Sequence, residues 1–178
     1  MPRLFIAIDL PDTIKKNLEA MSFGIPGARW IAPDQIHLTV RFIGKVDGAL
    51  FHDIRSGLEE VSILPFGLQL KGVGHFPPRG APRVIWVGLE KCEPLQILRK
   101  KIDTTLLKLG VEPEGRKFSP HITLARLKKT PLQKIADFLS ANGMFSQEPF
   151  QVDDFLLYSS TLTPKGAIHK VERMYSLY

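Results

Sequence analysis

Apolar residues recur along this chain with two different periods, and the switches between them predict its elements. Residues 4–10 alternate and are β-branched enough for a first strand, and Pro11-Asp12 then opens a helix with Ile14, Leu18 and Met21 on one face. Gly24, Pro26 and Gly27 stop it. From 36 to 43 apolar and polar residues alternate, the pattern of a half-buried strand, and Gly44 ends it. Asp47 is placed to cap a helix that buries Leu50, Ile54, Leu58 and Val61. Residues 66–73 and 84–89 read as two strands that pair around a loop, 74–82, where Pro77, Pro78, Gly80 and Pro82 forbid regular structure.

Leu95, Leu98, Ile102, Leu106 and Leu109 repeat every three or four residues until Gly110, a third helix. Residues 121–127 form the next strand, Thr130-Pro131 offers an N-cap followed by proline at the first helical position, and Gly143 closes the fourth helix. Residues 152–158 and 168–175 are the final strands, separated by the turn Thr163-Pro164-Lys165-Gly166. The order helix, strand, helix around 36–43 returns around 121–127, which suggests a diverged duplication of architecture. At 178 residues the chain is expected to be one compact unit, 1–178, with a single core.

Two of the five histidines sit in the same short pattern within these two related strands: His37-Leu38-Thr39-Val40 and His121-Ile122-Thr123-Leu124. One His-x-Thr has little meaning; two, each interleaved with apolar residues, form a specific signal. Side chains alternate along a strand, so His37, Thr39 and Arg41 are expected on one face and Leu38, Val40 and Phe42 on the other. His121 and Thr123 are paired likewise. Each strand then offers an imidazole and a hydroxyl about 7 Å apart, a span that one phosphate group bridges.

Histidine suits both directions of proton transfer because its ordinary pKa, about 6.5, lies near working pH. A neutral imidazole takes a proton from water as it attacks phosphorus, and an imidazolium returns one to the departing oxygen. Threonine hydroxyls hold the non-bridging oxygens where charge accumulates. No metal and no other cofactor is expected: His-x-Thr lacks a third ligand at fixed spacing, and no Cys or His partner stands nearby.

Composition changes this picture little. The balance of 24 Lys+Arg against 18 Asp+Glu gives +6, which favours an anionic ligand without selecting one. The single cysteine, Cys92, excludes an internal disulfide and suits a reducing cytoplasm. The apolar stretch in 1–10 is interrupted by Asp9 and is too short for a membrane span or a signal-peptide core.

These residues resemble the two-histidine (2H) phosphoesterases, and within them the LigT-like bacterial and archaeal RNA 2′,3′-cyclic phosphodiesterases once called 2′-5′ RNA ligases. The resemblance covers nearly the whole chain: Arg3-Leu4-Phe5-Ile6-Ala7 at its opening, the first motif from His37 to Gly44, a middle hairpin from Gly72 to Gly88, and the second motif from Phe118 to Arg126. It implies an α+β, bilobal, pseudo-twofold fold of duplicated antiparallel sheets with helices outside and a cleft between the motif strands. It implies hydrolysis of RNA 2′,3′-cyclic phosphate ends to 2′-phosphomonoesters, with His37 as proton donor and His121 as acceptor. Reverse 2′-5′ joining follows from microscopic reversibility. A monomer that needs no membrane is expected.

Around that pair, Arg41 and Arg126 are further candidates for substrate phosphate, although alternation sets Arg126 opposite His121 and Thr123 unless the strand bends. Phe5 lies opposite Leu4, Ile6 and Ile8 and is a candidate for stacking on a base. Arg79 and Arg83 flank the proline-rich loop and could track an RNA backbone; His75 and His169 read as structural, and Trp30 and Trp86 as packing residues. Two other functions compete: a module that holds a nucleotide or RNA end without turnover, and a phosphodiesterase for small cyclic nucleotides such as ADP-ribose 1″,2″-cyclic phosphate. Matched acid-base groups argue against the first; the cleft loops decide the second.

Overall fold

A computed structural model describes all residues, Met1–Tyr178. The chain runs β1 (Arg3–Asp9), α1 (Asp12–Ala20), β2 (Arg29–Trp30), β3 (His37–Lys45), α2 (Gly48–Gly57), β4 (Phe66–Leu68), β5 (Leu70–Phe76), β6 (Val84–Leu89), α3 (Glu93–Lys108), β7 (Ile122–Arg126), α4 (Leu132–Ala141), β8 (Phe150–Val152), β9 (Asp154–Thr163) and β10 (Gly166–Ser176). Two four-stranded antiparallel sheets result, ordered β10-β9-β1-β3 and β2-β7-β6-β5, with β4 and β8 forming a separate pair. The fold is therefore α+β with one sheet per lobe. No helix is long and apolar enough to cross a membrane.

Each lobe places its His-x-Thr strand beside a strand of buried apolar residues. In the first lobe β3 pairs with β1, whose Leu4, Ile6 and Ile8 are all at most 1% exposed. In the second, β7 pairs with β6, where Ile85 and Val87 are fully buried. One contiguous core joins these strands to Ile14 and Leu18 of α1, Ile54 of α2, Leu98, Ile102 and Leu106 of α3 and Ile135 of α4. Strands β3 and β7 lie in contact across the lobes, and α3 packs on β3.

Several boundaries differ from the sequence reading, each for a local reason. The stretch 66–73 divides into β4, which turns to pair with β8, and β5, which continues through Gly74 and His75 to Phe76, beside β6. Residues 152–158 likewise divide at Asp153 into β8 and a long β9. Asp47 caps α2 as expected, its carboxylate accepting from the Leu50 amide at 2.8 Å, a contact of about 1 kcal/mol. Thr130 does not cap α4: Pro131 occupies the N-cap position and no side chain accepts there.

Candidate active site

Both motif strands break their alternation at the same place. In β3, Thr39 pairs with Ala7 and Arg41 with the adjacent Ile6, which leaves Val40 as an extra residue. In β7, Thr123 pairs with Trp86 and Ala125 with the adjacent Ile85, which leaves Leu124 extra. A bulge of this kind puts two residues opposite one and shifts every later side chain to the other face. The consequence is a correction for Arg41. It does not share the face of His37 and Thr39; it turns inward, is 2% exposed, and is held by Asp103 and Glu114. It is not free to meet a substrate phosphate.

The same shift acts oppositely at the ends of the strands. Phe42, expected inside, is 57% exposed and lies on the face of Phe5, its cross-strand partner. Arg126 is exposed and shares its face with Val84 and Phe76, hence with Thr123 and Trp86. The bend that sets Arg126 on the face of Thr123 is thus present.

His37 opens β3 within an aromatic group. Its ring stacks on Phe5 at 5.0 Å between centroids, and Tyr158 lies 5.0 Å from Phe5 and 5.9 Å from His37, so the three rings form one cluster. Phe5 is only 3% exposed, so it builds the wall of the site and offers no open face to a base. His169, read as structural from sequence, meets His37 edge to face at 5.4 Å and Phe5 at 4.9 Å. Burial pushes His37 down to about 4, with the neighbouring His169 acting in the same direction and the Gln35 backbone and Asp9 carboxylate against it. His169 is itself lowered by burial. Burial, with Asp9 and Asp154 beside it, raises Tyr158 to about 12 and keeps its phenol neutral. Asp9 in turn is paired with Lys15 at 2.7 Å.

His121 stands just before β7, edge to face on Phe76 at 4.8 Å. Its Nδ1 lies 2.7 Å from the carbonyl oxygen of Ser119. A carbonyl only accepts, so Nδ1 carries a proton and donates; in the neutral ring Nε2 is then the basic nitrogen. The floor of this lobe is the Trp86 indole, which lies over two glycines: a Cβ on Gly74 would stand 2.3 Å from the ring and one on Gly88 3.2 Å from it. The lobes are linked at one end, where Arg29, on the strand beside β7, donates to the Lys165 carbonyl at the β9–β10 turn at 2.7 Å.

His169, Tyr158 and Phe76 were missed or dismissed by sequence reasoning. The available signal for His169 was the hairpin count: from the Thr163/Gly166 pair, His169 falls opposite Ser160, on the face of Tyr158. Among the remaining sequence candidates, Arg79 and Arg83 lie on the exposed 77–83 loop, and His75 points to the side of buried Ile85, away from the imidazole pair. No three His, Cys, Asp or Glu side chains converge in a way that could hold an ion.

Comparison with known proteins agrees with this arrangement. The LigT like Phosphoesterase family model matches the chain twice, over residues 8–86 and 87–169, one match for each motif strand. An RNA 2′,3′-cyclic phosphodiesterase from Archaeoglobus fulgidus is 34% identical, covering 97% of this chain and 99% of that one. One from Thermotoga maritima is 36% identical, over 95% and 92%. A crystal structure of a Thermus thermophilus protein superposes with a TM-score of 0.81 at 29% identity, covering 98% of this chain and 97% of its own. LigT of E. coli complexed with 3′-AMP shares the fold, with a TM-score of 0.79 at 24% identity and 99% coverage of both. The repeated match, the paired sheets and the duplicated histidine strands have one origin: this chain belongs to the LigT-like phosphoesterase family.

Proposed function

We propose that this protein hydrolyses 2′,3′-cyclic phosphate ends of RNA to 2′-phosphomonoesters, with His37 and His121 as its acid-base pair. The observation that carries this reading is the duplicated His-x-Thr on two strands in contact, bulged at the same position. Support for the substrate comes from relatives named RNA 2′,3′-cyclic phosphodiesterase that align over nearly the whole chain.

Water attacks phosphorus and the P–O3′ bond breaks. His121 accepts the proton of that water at Nε2, the nitrogen left basic by the Ser119 contact. His37 donates a proton to the departing 3′ oxygen. It is neutral in the free protein at pH 7, so it takes up that proton as the anionic phosphate settles beside it. Thr39 and Thr123 donate hydrogen bonds to the non-bridging oxygens, and Arg126 supplies positive charge from the second lobe. Arg41, buried and ion-paired with Asp103 and Glu114, has no part in this contact. The basic balance of the chain and its one cysteine suit an RNA substrate in a reducing cytoplasm.

The test is incubation of the purified protein, in EDTA, with a short RNA ending in a 2′,3′-cyclic phosphate. Accumulation of the 2′-phosphomonoester is expected. An unaltered end, a 3′-phosphate product, or turnover that requires an added divalent ion would overturn the proposal; turnover of small cyclic nucleotides alone would reassign the substrate.

A further inference from the structure

The segment between α3 and β7 carries His121 at its end and contains no helix or strand, yet it is fastened by a closed square of charge. Asp103 on α3 and Glu114 in the segment each bridge the same two guanidinium groups. Asp103 Oδ1 lies 2.9 Å from Arg41 Nε and its Oδ2 2.6 Å from Arg99 Nε. Glu114 Oε2 lies 2.8 Å from Arg99 Nη2 and 3.4 Å from Arg41 Nη1. Arg41 Nη2 also donates to the Glu112 carbonyl at 2.6 Å, and the Arg99 guanidinium stands 5.0 Å over the Phe118 ring.

The other side of the square is the bulge of β3. Arg41 is the residue the bulge turns inward, and Arg99 Nη1 donates to the carbonyl of Val40, the extra residue itself. Arg41 and Arg99 are the only buried charged or polar residues in the protein, and proton transfer uses neither. Their net contribution to stability is small in expectation, because desolvation of buried ions offsets most of their attraction. What the square does supply is geometry: it ties the first motif strand to the approach of the second motif histidine through the Glu112 carbonyl and through two side chains, Glu114 and Phe118.

We infer that Arg41, Arg99, Asp103 and Glu114 are positioning residues that fix His121 relative to the His37 strand. The kinetic part of this inference rests on the function proposed above; the spectroscopic part does not. A misplacement of about 1 Å costs on the order of 10²-fold in rate, so loosening either fastening should register mainly in kcat.

The experiment compares Glu114→Gln, which removes the shared charge without changing shape, with Phe118→Leu, which removes the ring and leaves every ion pair. Each is expected to lower kcat by roughly 10-fold to 10²-fold with KM changed by less than about threefold. In a His121→Ala background neither should cost more than about twofold further, since the group they position is gone. The His121 ring resonance in a proton–carbon NMR spectrum should move in both variants, while that of the exposed His52 stays in place. Wild-type kcat together with an unmoved His121 resonance, or an undiminished loss in the His121→Ala background, overturns the inference. If Glu114→Gln does not fold, Phe118→Leu decides alone; if the wild type leaves cyclic phosphate ends intact, the function fails and the resonance decides this inference by itself.

Discussion

His37 and His169 meet edge to face, with ring centroids 5.4 Å apart and planes at 84°, so the two imidazoles compete for one positive charge. Removing His169 relieves that competition but leaves burial, the larger cause, in place. His169→Phe is therefore expected to raise the His37 midpoint above about 4 while keeping it below that of an exposed histidine. Ring-proton titration by NMR measures it directly. A midpoint that stayed put would show that His169 exerts no field on its neighbour.

Acid should weaken the fold through the same residue. Folded His37 takes its proton only near pH 4, whereas the unfolded chain takes it near 6.5. Above pH 6.5 both states are neutral and the difference costs nothing; between 6.5 and 4 only the unfolded state binds the proton, so stability falls as pH drops. The loss reaches roughly 3 kcal/mol at most and levels off below pH 4. His169, lowered by its own burial, adds in the same direction. Urea midpoints at pH 7.5 and 4.5 should differ less in His37→Gln than in the wild type; equal differences would refute the buried neutral imidazole.

Each member of the acid-base pair should be indispensable. His37→Ala and His121→Ala are expected to lower turnover by about 10²-fold or more each, and the double variant by little beyond either, because the pair acts as a unit. Circular dichroism should show all three folded. Near-normal turnover in one single variant would remove that histidine from the reaction.

Gly74 has no room for a methyl group, since its Cβ would stand 2.3 Å from the Trp86 ring. Gly74→Ala is expected to destabilise the protein by about 1–3 kcal/mol, the usual cost of overpacking, and Trp86→Leu in the same chain to recover part of it. Thermal unfolding of both variants provides the check, and a Gly74→Ala protein as stable as wild type would mean that the indole moves aside freely.

Much of the site was legible in sequence because its information is local. A histidine, an apolar residue and a threonine keep their relative facing whatever sheet the strand joins, so His37 with Thr39 and His121 with Thr123 needed nothing but strand geometry. Arg41 failed because a bulge is a property of two strands: the extra Val40 exists only relative to Ala7 and Ile6 of β1. From Val40 to the second irregularity of β3, at Ile43, period-two reasoning inverts each assignment, and Phe42 and Arg126 changed faces for the same reason. Phe5 was placed on the correct face, but its burial depends on Tyr158, more than 150 residues away, and His169 on the hairpin that follows. Strand order, which brings these together, is not written in any one segment.

The matched bulges have a consequence for how an RNA end is read. They give the cleft a twofold backbone, yet the residue each brings to the surface differs: an exposed phenylalanine, Phe42, in one lobe and a guanidinium, Arg126, in the other. A strand of nucleic acid has a direction, with a base on one side of its terminal phosphate and the next phosphate on the other. Equivalent walls would accept that strand in either sense, and the two histidines would exchange tasks at random. In the function proposed above, unlike walls would select one sense, and the broken chemical symmetry of an otherwise doubled site would assign the donor and the acceptor before any proton moves.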